Sequence, residues 1–206
     1  MLDLRAPELP VDQGGILSRP EYGEDFGQRY AAMRDVHSWK LEREQHFEEK
    51  DNASRDALRR GDWPEALRHL DARRDALLAE AADDENQGVT FHRIRVVEEP
   101  LTPYLQWELH SHWHRVRFGG EKVRVLNAEA VASSESVGPL PEVTVLGGTT
   151  LFRVLYTEAG APDGAVHYTD PAFVGSWTAY LKALYGAAED LAAYFERAVA
   201  PLAPPV

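Results

Sequence analysis

The stretch Val89–Leu126, VTFHRIRVVEEPLTPYLQWELHSHWHRVRFGGEKVRVL, decides how this chain folds. Thr90, His92, Ile94 and Val96 alternate with Phe91, Arg93, Arg95 and Val97, the period-two pattern of a strand whose two faces differ. Pro100 ends that strand. Thr102 is placed to cap a helix with Pro103 in its first turn, and Gly119-Gly120 allow a turn into a second strand, Lys122–Leu126. A strand-helix-strand unit of this length fits a crossover between parallel strands.

Upstream, Phe26, Tyr30, Met33 and Val36 recur at three- and four-residue steps and predict a helix. The pattern continues less cleanly through Trp39, Leu41, Phe47 and Leu58, with Gly61 as its stop. Asp62-Trp63-Pro64-Glu65 opens a second helix as a capping box, with Trp63, Leu67, Leu70, Leu77 and Ala81 as its buried stripe. Downstream, residues 128–141 form a loop, and Glu142–Tyr156 reads as a hairpin turning at Gly147-Gly148. A short strand follows at Val166–Tyr168. Asp170-Pro171 then starts a long C-terminal helix whose apolar face runs from Phe173 and Trp177 to Tyr194 and Phe195. The expected fold is α+β: N-terminal helices, a mixed four- to five-stranded sheet containing the strand-helix-strand unit, and that long last helix. Residues 1–25, rich in Pro and Gly, are expected to form a flexible arm, and residues 26–200 a single domain.

Composition narrows the function classes. The 206 residues carry a formal charge of −12 and contain no cysteine, so disulfides and thiolate metal sites are excluded. No apolar run approaches the roughly 18 residues of a membrane span. The N-terminus lacks the basic-then-apolar pattern of a secretory signal. A cytoplasmic protein without membrane contact is expected. The acidity argues against direct nucleic-acid binding, which needs a basic surface.

The segment GVTFHRIRVVEEPLTPYLQWEL followed by GEKVRVL resembles a family of uncharacterised actinobacterial proteins, a domain of unknown function often encoded near helix-turn-helix regulators. The features that carry the resemblance are Leu41-Glu42 in an early helix, then Arg93, Arg95, Glu99, Pro100, Tyr104 and Glu108. Gly120, Glu121, Val123 and Arg124 complete it, with Asp170-Pro171 before the last helix. It covers about residues 40–199, and the histidines at 110, 112 and 114 depart from it. The resemblance implies a fold and a regulatory setting but no activity.

Three constellations carry chemistry. Arg93 and Arg95 share a strand face, and with Arg117 and Arg124 they form a group able to fork onto a carboxylate or phosphate. Tyr104 and Glu108, four apart on a helix, face the same way and complete a candidate ligand-binding set of Arg93, Arg95, Tyr104, Glu108 and Arg124. The structural alternative is local pairing of these arginines with Glu98, Glu99, Glu108 and Glu121. In His110-Ser111-His112-Trp113-His114, His110 and His114 lie one helical turn apart and form a candidate divalent-metal pair, with His112 on the opposite side. Otherwise no cofactor is expected. HExxH, GxSxG, Walker A and GxGxxG patterns are missing. The strand-helix-strand unit also resembles a half-domain of phospholipase-D-like proteins, without their His-x-Lys pattern. The expected function is a regulatory accessory protein binding a protein partner or a small anionic ligand, with a homodimer formed through the aromatic last helix. The competing class is a small tailoring or hydrolytic enzyme using Glu108, Tyr104 and Arg95, or a histidine-bound metal.

Overall fold

The computed structural model describes residues 5–136 and 138–205. In chain order it contains β1 (Gly15–Leu17), α1 (Arg19–Ala32), β2 (His37–Glu42), α2 (Ala53–Arg59), α3 (Trp63–Asp71), α4 (Arg74–Gln87), β3 (Thr90–Val97) and α5 (Pro103–Phe118). These are followed by β4 (Lys122–Asn127), α6 (Ala128–Val131), β5 (Val143–Leu146), β6 (Thr150–Tyr156), β7 (Pro162–Tyr168), α7 (Pro171–Ala187), β8 (Glu189–Asp190) and α8 (Leu191–Tyr194). The class is α+β, with one mixed sheet in the order β1-β7-β6-β5-β2-β3-β4-β8. β2, β3 and β4 run parallel at its centre; every other pair is antiparallel.

The strand-helix-strand unit stands as predicted. β3 and β4 pair in parallel, with Arg93 opposite Val123 and Arg95 opposite Val125. Thr102 accepts a hydrogen bond from the Leu105 amide, capping α5 behind Pro103. The alternation of β3 also separates two cores. Ile94 and Val96 join Trp39, Leu41, Trp177, Leu181 and Leu184 under α7. Val97 faces the other way, with Leu105, Leu109, Val123, Val125 and Leu191 under α5.

Eight strands replace the expected four or five, and two errors of period account for most of the difference. The helix through Phe26 and Tyr30 ends at Ala32, and Asp35 takes a left-handed φ of 54°. Beyond it, His37-Ser38-Trp39-Lys40-Leu41-Glu42 alternates instead of winding. Trp39 and Leu41 enter the core under α7, while Lys40 and Glu42 point to the α5 side, so β2 becomes the central strand. The long C-terminal helix is the second correction. α7 stops at Ala187, Ala188 is extended (φ −80°, ψ 148°), and Glu189–Asp190 pair with Arg124 and Val125 at the sheet edge. Asp190 then accepts from the Ala192 amide at 2.9 Å and starts α8. The apolar stripe from Phe173 to Phe195 thus belongs to two faces of the sheet: Trp177 and Leu184 pack on one, Tyr194 and Phe195 on the other. Trp177, Tyr180, Tyr194 and Phe195 are buried, while Phe173 and Tyr185 of the same stripe are half-buried.

The expected arm contributes structure too. Gly15–Leu17 pair with Ala165–His167 at the outer edge, and Ser18 and Glu21 form a capping box at the start of α1. Met1–Leu4 of that arm lie outside the described residues.

Candidate functional site: a buried ion network under α5

The register of β2 on β3 sets the floor of the site. Lys40 lies opposite Arg93 and Glu42 opposite Arg95, all four on the face covered by α5. From α5, Tyr104, Glu108 and His112 descend at successive four-residue steps toward that floor. Glu121, in the turn after α5, closes the far end.

The groups pair in a chain. Arg93 forks onto Glu121 at 3.1 and 3.2 Å and donates to Glu42 at 2.5 Å. Lys40 reaches the same Glu42 oxygen at 2.7 Å. Arg95, with no exposed surface, donates through Nε to Glu108 at 2.6 Å and through Nη1 to the Glu42 and Val96 carbonyls. The Tyr104 hydroxyl lies 3.0 Å from both Glu108 and Glu49. Arg115 joins Glu121 at 3.3 Å. Charges this deep persist because each meets an opposite charge; unpaired, each would cost several kcal/mol.

Electrostatics follow the pairing. Burial pushes the Glu42 carboxyl up, but Arg93, Lys40 and His112 together hold it well below the usual carboxylate range. Glu121 shows the same contest, burial against Arg93 and Arg115, and settles at about 2. Burial would weaken the Arg93 and Arg95 cations, yet Glu121 and Glu42 around Arg93, and Glu108 beside Arg95, raise both above the ordinary arginine value. Burial and the Glu108 and Glu49 charges raise the Tyr104 phenol, so it stays protonated. Glu142, just before β5, is pushed up to about 7 by burial and the Glu42 charge, although the Glu44 and Arg43 amides favour its ionised form.

The network faces a cleft of about 800 Å³ between the sheet, α5 and the α2–α3 layer, bordered by Lys40, Glu42, Arg93, Glu108, His112 and Arg115 among others. Across Lys40, Arg93 and Arg115 lies a second cavity of about 490 Å³, walled by Tyr22, Phe26, Tyr30 and Asp84.

Four of the five predicted ligand-binding residues come together here: Arg93, Arg95, Tyr104 and Glu108. Arg124 does not. It pairs opposite Ile94 and so faces α7, where it donates to the Tyr185 carbonyl at 2.9 Å and sits 4.6 Å over the Tyr185 ring. Arg93 and Arg95 do pair with acidic neighbours, as the structural alternative holds, through Glu121 and Glu108. The other two expected partners are employed elsewhere: Glu98 on Arg43 and Glu99 on Tyr194. His110 and His114 turn away from the network. His114 bridges the His110 carbonyl and Asp71, and His110 packs edge-on against Trp63 and Phe195. The histidine that enters the site is His112. Sequence reasoning also missed Glu42 and Lys40, because both lay in a segment read as helix; the alternation of residues 37–42 was the available signal.

The arrangement defines a class: an α+β protein with a buried, charge-balanced network beneath one helix and an open polar cleft beside it. The chain belongs to the family defined by a domain of unknown function (DUF6879), whose model matches residues 24–196. No curated protein matches it. Among solved structures, it is similar to TrmBL2, described as an archaeal chromatin protein with a novel mode of DNA binding, at 10% identity and a TM-score of 0.47. That match covers 92% of this chain, which spans 57% of the TrmBL2 chain. The expectation of no direct nucleic-acid contact rests on net charge alone, and the description of that similar chain, which binds DNA, stands against it. At this level of likeness it assigns no DNA site here. No helix among the described residues is long and apolar enough to cross a membrane.

Proposed function

We propose that this chain is a cytoplasmic regulatory accessory protein whose cleft beside α5 receives a small ligand bearing a carboxylate or phosphate. The observation that carries this reading is the wall of Lys40, Arg93 and Arg115 shared by the two cavities. Arg93 is buried and spent on Glu42 and Glu121, but the Lys40 and Arg115 side chains keep about a quarter of their surface exposed (24% and 27%). An anion entering the cleft meets two cations that keep exposed surface while paired with Glu42 and Glu121. The regulatory setting is what the resemblance noted in the sequence implies.

Arg95, Tyr104 and Glu108 support the site from below. Arg95 is fully buried, so it positions Glu108 and does not offer itself to a substrate. The test is calorimetry and thermal shift with small carboxylates and phosphates, on the unaltered chain and on Lys40→Ala/Arg115→Ala. A ligand that raises Tm and is lost in the double variant is the expected result. If no anion binds, or if the double variant binds as well, the reading fails.

A further inference from the structure

The one group of three or more metal-ligating side chains that converges among the described residues is Glu42, Glu108 and His112. Each offers a donor atom within 4.8 Å of the other two, and all three are about 95% buried (4%, 5% and 5% exposed). They come from two elements, Glu42 from the end of β2 and the Glu108–His112 pair from one face of α5. A second observation points to a ligand. Neither ring nitrogen of His112 makes a hydrogen bond, and Glu42 Oε2 makes none either. His112 Nε2 lies 3.3 Å from that oxygen, close enough to attract it but out of line for a hydrogen bond. Buried polar atoms are satisfied as a rule, and orphans at such a site call for an ion or water.

We infer that Glu42, Glu108 and His112 form a binding site for a first-row divalent metal ion, open to the cleft. Donor chemistry fits: one imidazole and two carboxylates suit zinc, iron(II) or manganese, and no thiolate competes. Ligand atoms about 2.1 Å from a shared ion lie roughly 3.0–3.4 Å apart, so the observed group must contract by at most about 1.4–1.8 Å at its widest. The neighbours act as an outer shell. Arg93 and Lys40 occupy Glu42 Oε1 and leave Oε2 to the ion, while Arg95 fixes Glu108 Oε2 and leaves Oε1 shared with Tyr104. These cations also repel an incoming ion, which lowers its affinity without removing its donors. Three protein ligands leave a position facing the cleft for water or an incoming group. The site stands whether or not an anion binds at Lys40 and Arg115.

Full-length protein, stripped with chelator and kept in a non-coordinating buffer without phosphate, is titrated with Zn²⁺ by calorimetry and with Co²⁺ by visible absorption. One equivalent should bind. His112→Gln should weaken binding by more than about 100-fold, beyond the 10–100-fold range of outer-shell losses, while His110→Ala/His114→Ala retains the stoichiometric site. Should His112→Gln fail to fold, paramagnetic broadening by Co²⁺ in the unaltered protein locates the ion. It should be strongest around Tyr104, Trp107 and Ser111. Failure to bind an equivalent, undiminished binding in His112→Gln, loss in the His110/His114 variant, or broadening centred elsewhere would each overturn the site.

Discussion

Arg95→Met tests the ion network most directly. The substitution keeps much of the side chain's volume but leaves Glu108 facing the sheet without its 2.6 Å partner. Glu108 would retain only the Tyr104 hydroxyl, itself shared with Glu49. Removing one member of a buried pair costs about 3–5 kcal/mol, because the survivor remains uncompensated. The Glu42 carbonyl loses its Arg95 donor as well, which adds to the cost, while the Val96 carbonyl still accepts from Gln45. For a chain of this size each kcal/mol lowers Tm by roughly 2–4 °C, so a fall on the order of 10 °C is expected. The informative comparison is with Arg95→Met/Glu108→Leu, which removes both charges and should recover most of the loss. Urea unfolding of the four species yields the coupling energy. If Arg95→Met unfolds within about 1 kcal/mol of the parent, the range of an exposed pair, the pair is not the buried contact described here.

Three further outcomes follow from particular contacts. Glu142 binds its proton more tightly in the folded chain, about 7 against 4.5, so its contribution is full below pH 4.5 and lost as pH rises through 7. That difference corresponds to about 3 kcal/mol; Glu142→Gln should therefore gain stability on the parent between pH 5 and 8, and an unchanged pH profile of unfolding would count against the burial. Asp190→Ala removes the cap of α8 and should cost about 1 kcal/mol, read as lower Tm with faster amide exchange at Ala192. A Cβ at Gly164, where φ is 113°, would meet the Leu17 carbonyl oxygen at 2.2 Å, so Gly164→Ala should detach β1 and speed exchange at its amides. Its cost should exceed about 1 kcal/mol.

The sequence disclosed the parts with a single strong period. β3, α5 and β4 were readable because alternation, a Thr-Pro cap and a Gly-Gly turn agree with one another. The convergence of Arg95, Tyr104 and Glu108 followed from the same logic. β2 was hidden because Phe26, Tyr30 and Met33 set up a helical rhythm that Trp39 and Leu41 extend in spacing, which masks the alternation of residues 37–42 that pairs with β3. Lys40 and Glu42 disappeared with it. The break at Ala188–Asp190 was masked by continuous apolar character on both sides, since residues facing two different cores still look like one stripe. Grouping Arg124 with Arg93 and Arg95 carried no register, and the pairing sets Val123, not Arg124, beside Arg93, which sends Arg124 to the opposite face. His112 lies opposite His110 and His114 on the helix, and that opposition is what aims it inward.

The chain of pairs from Lys40 and Glu42 through Arg93 to Glu121 and Arg115 has a consequence for how such a chain can change over generations. Exchanging Arg93, Glu42 or Glu121 for a neutral residue leaves a neighbour short of its partner in a medium that tolerates lone ions poorly. Substitution along this string must therefore proceed by compensated steps, and kindred sequences should keep these three residues together or replace them in complementary sets.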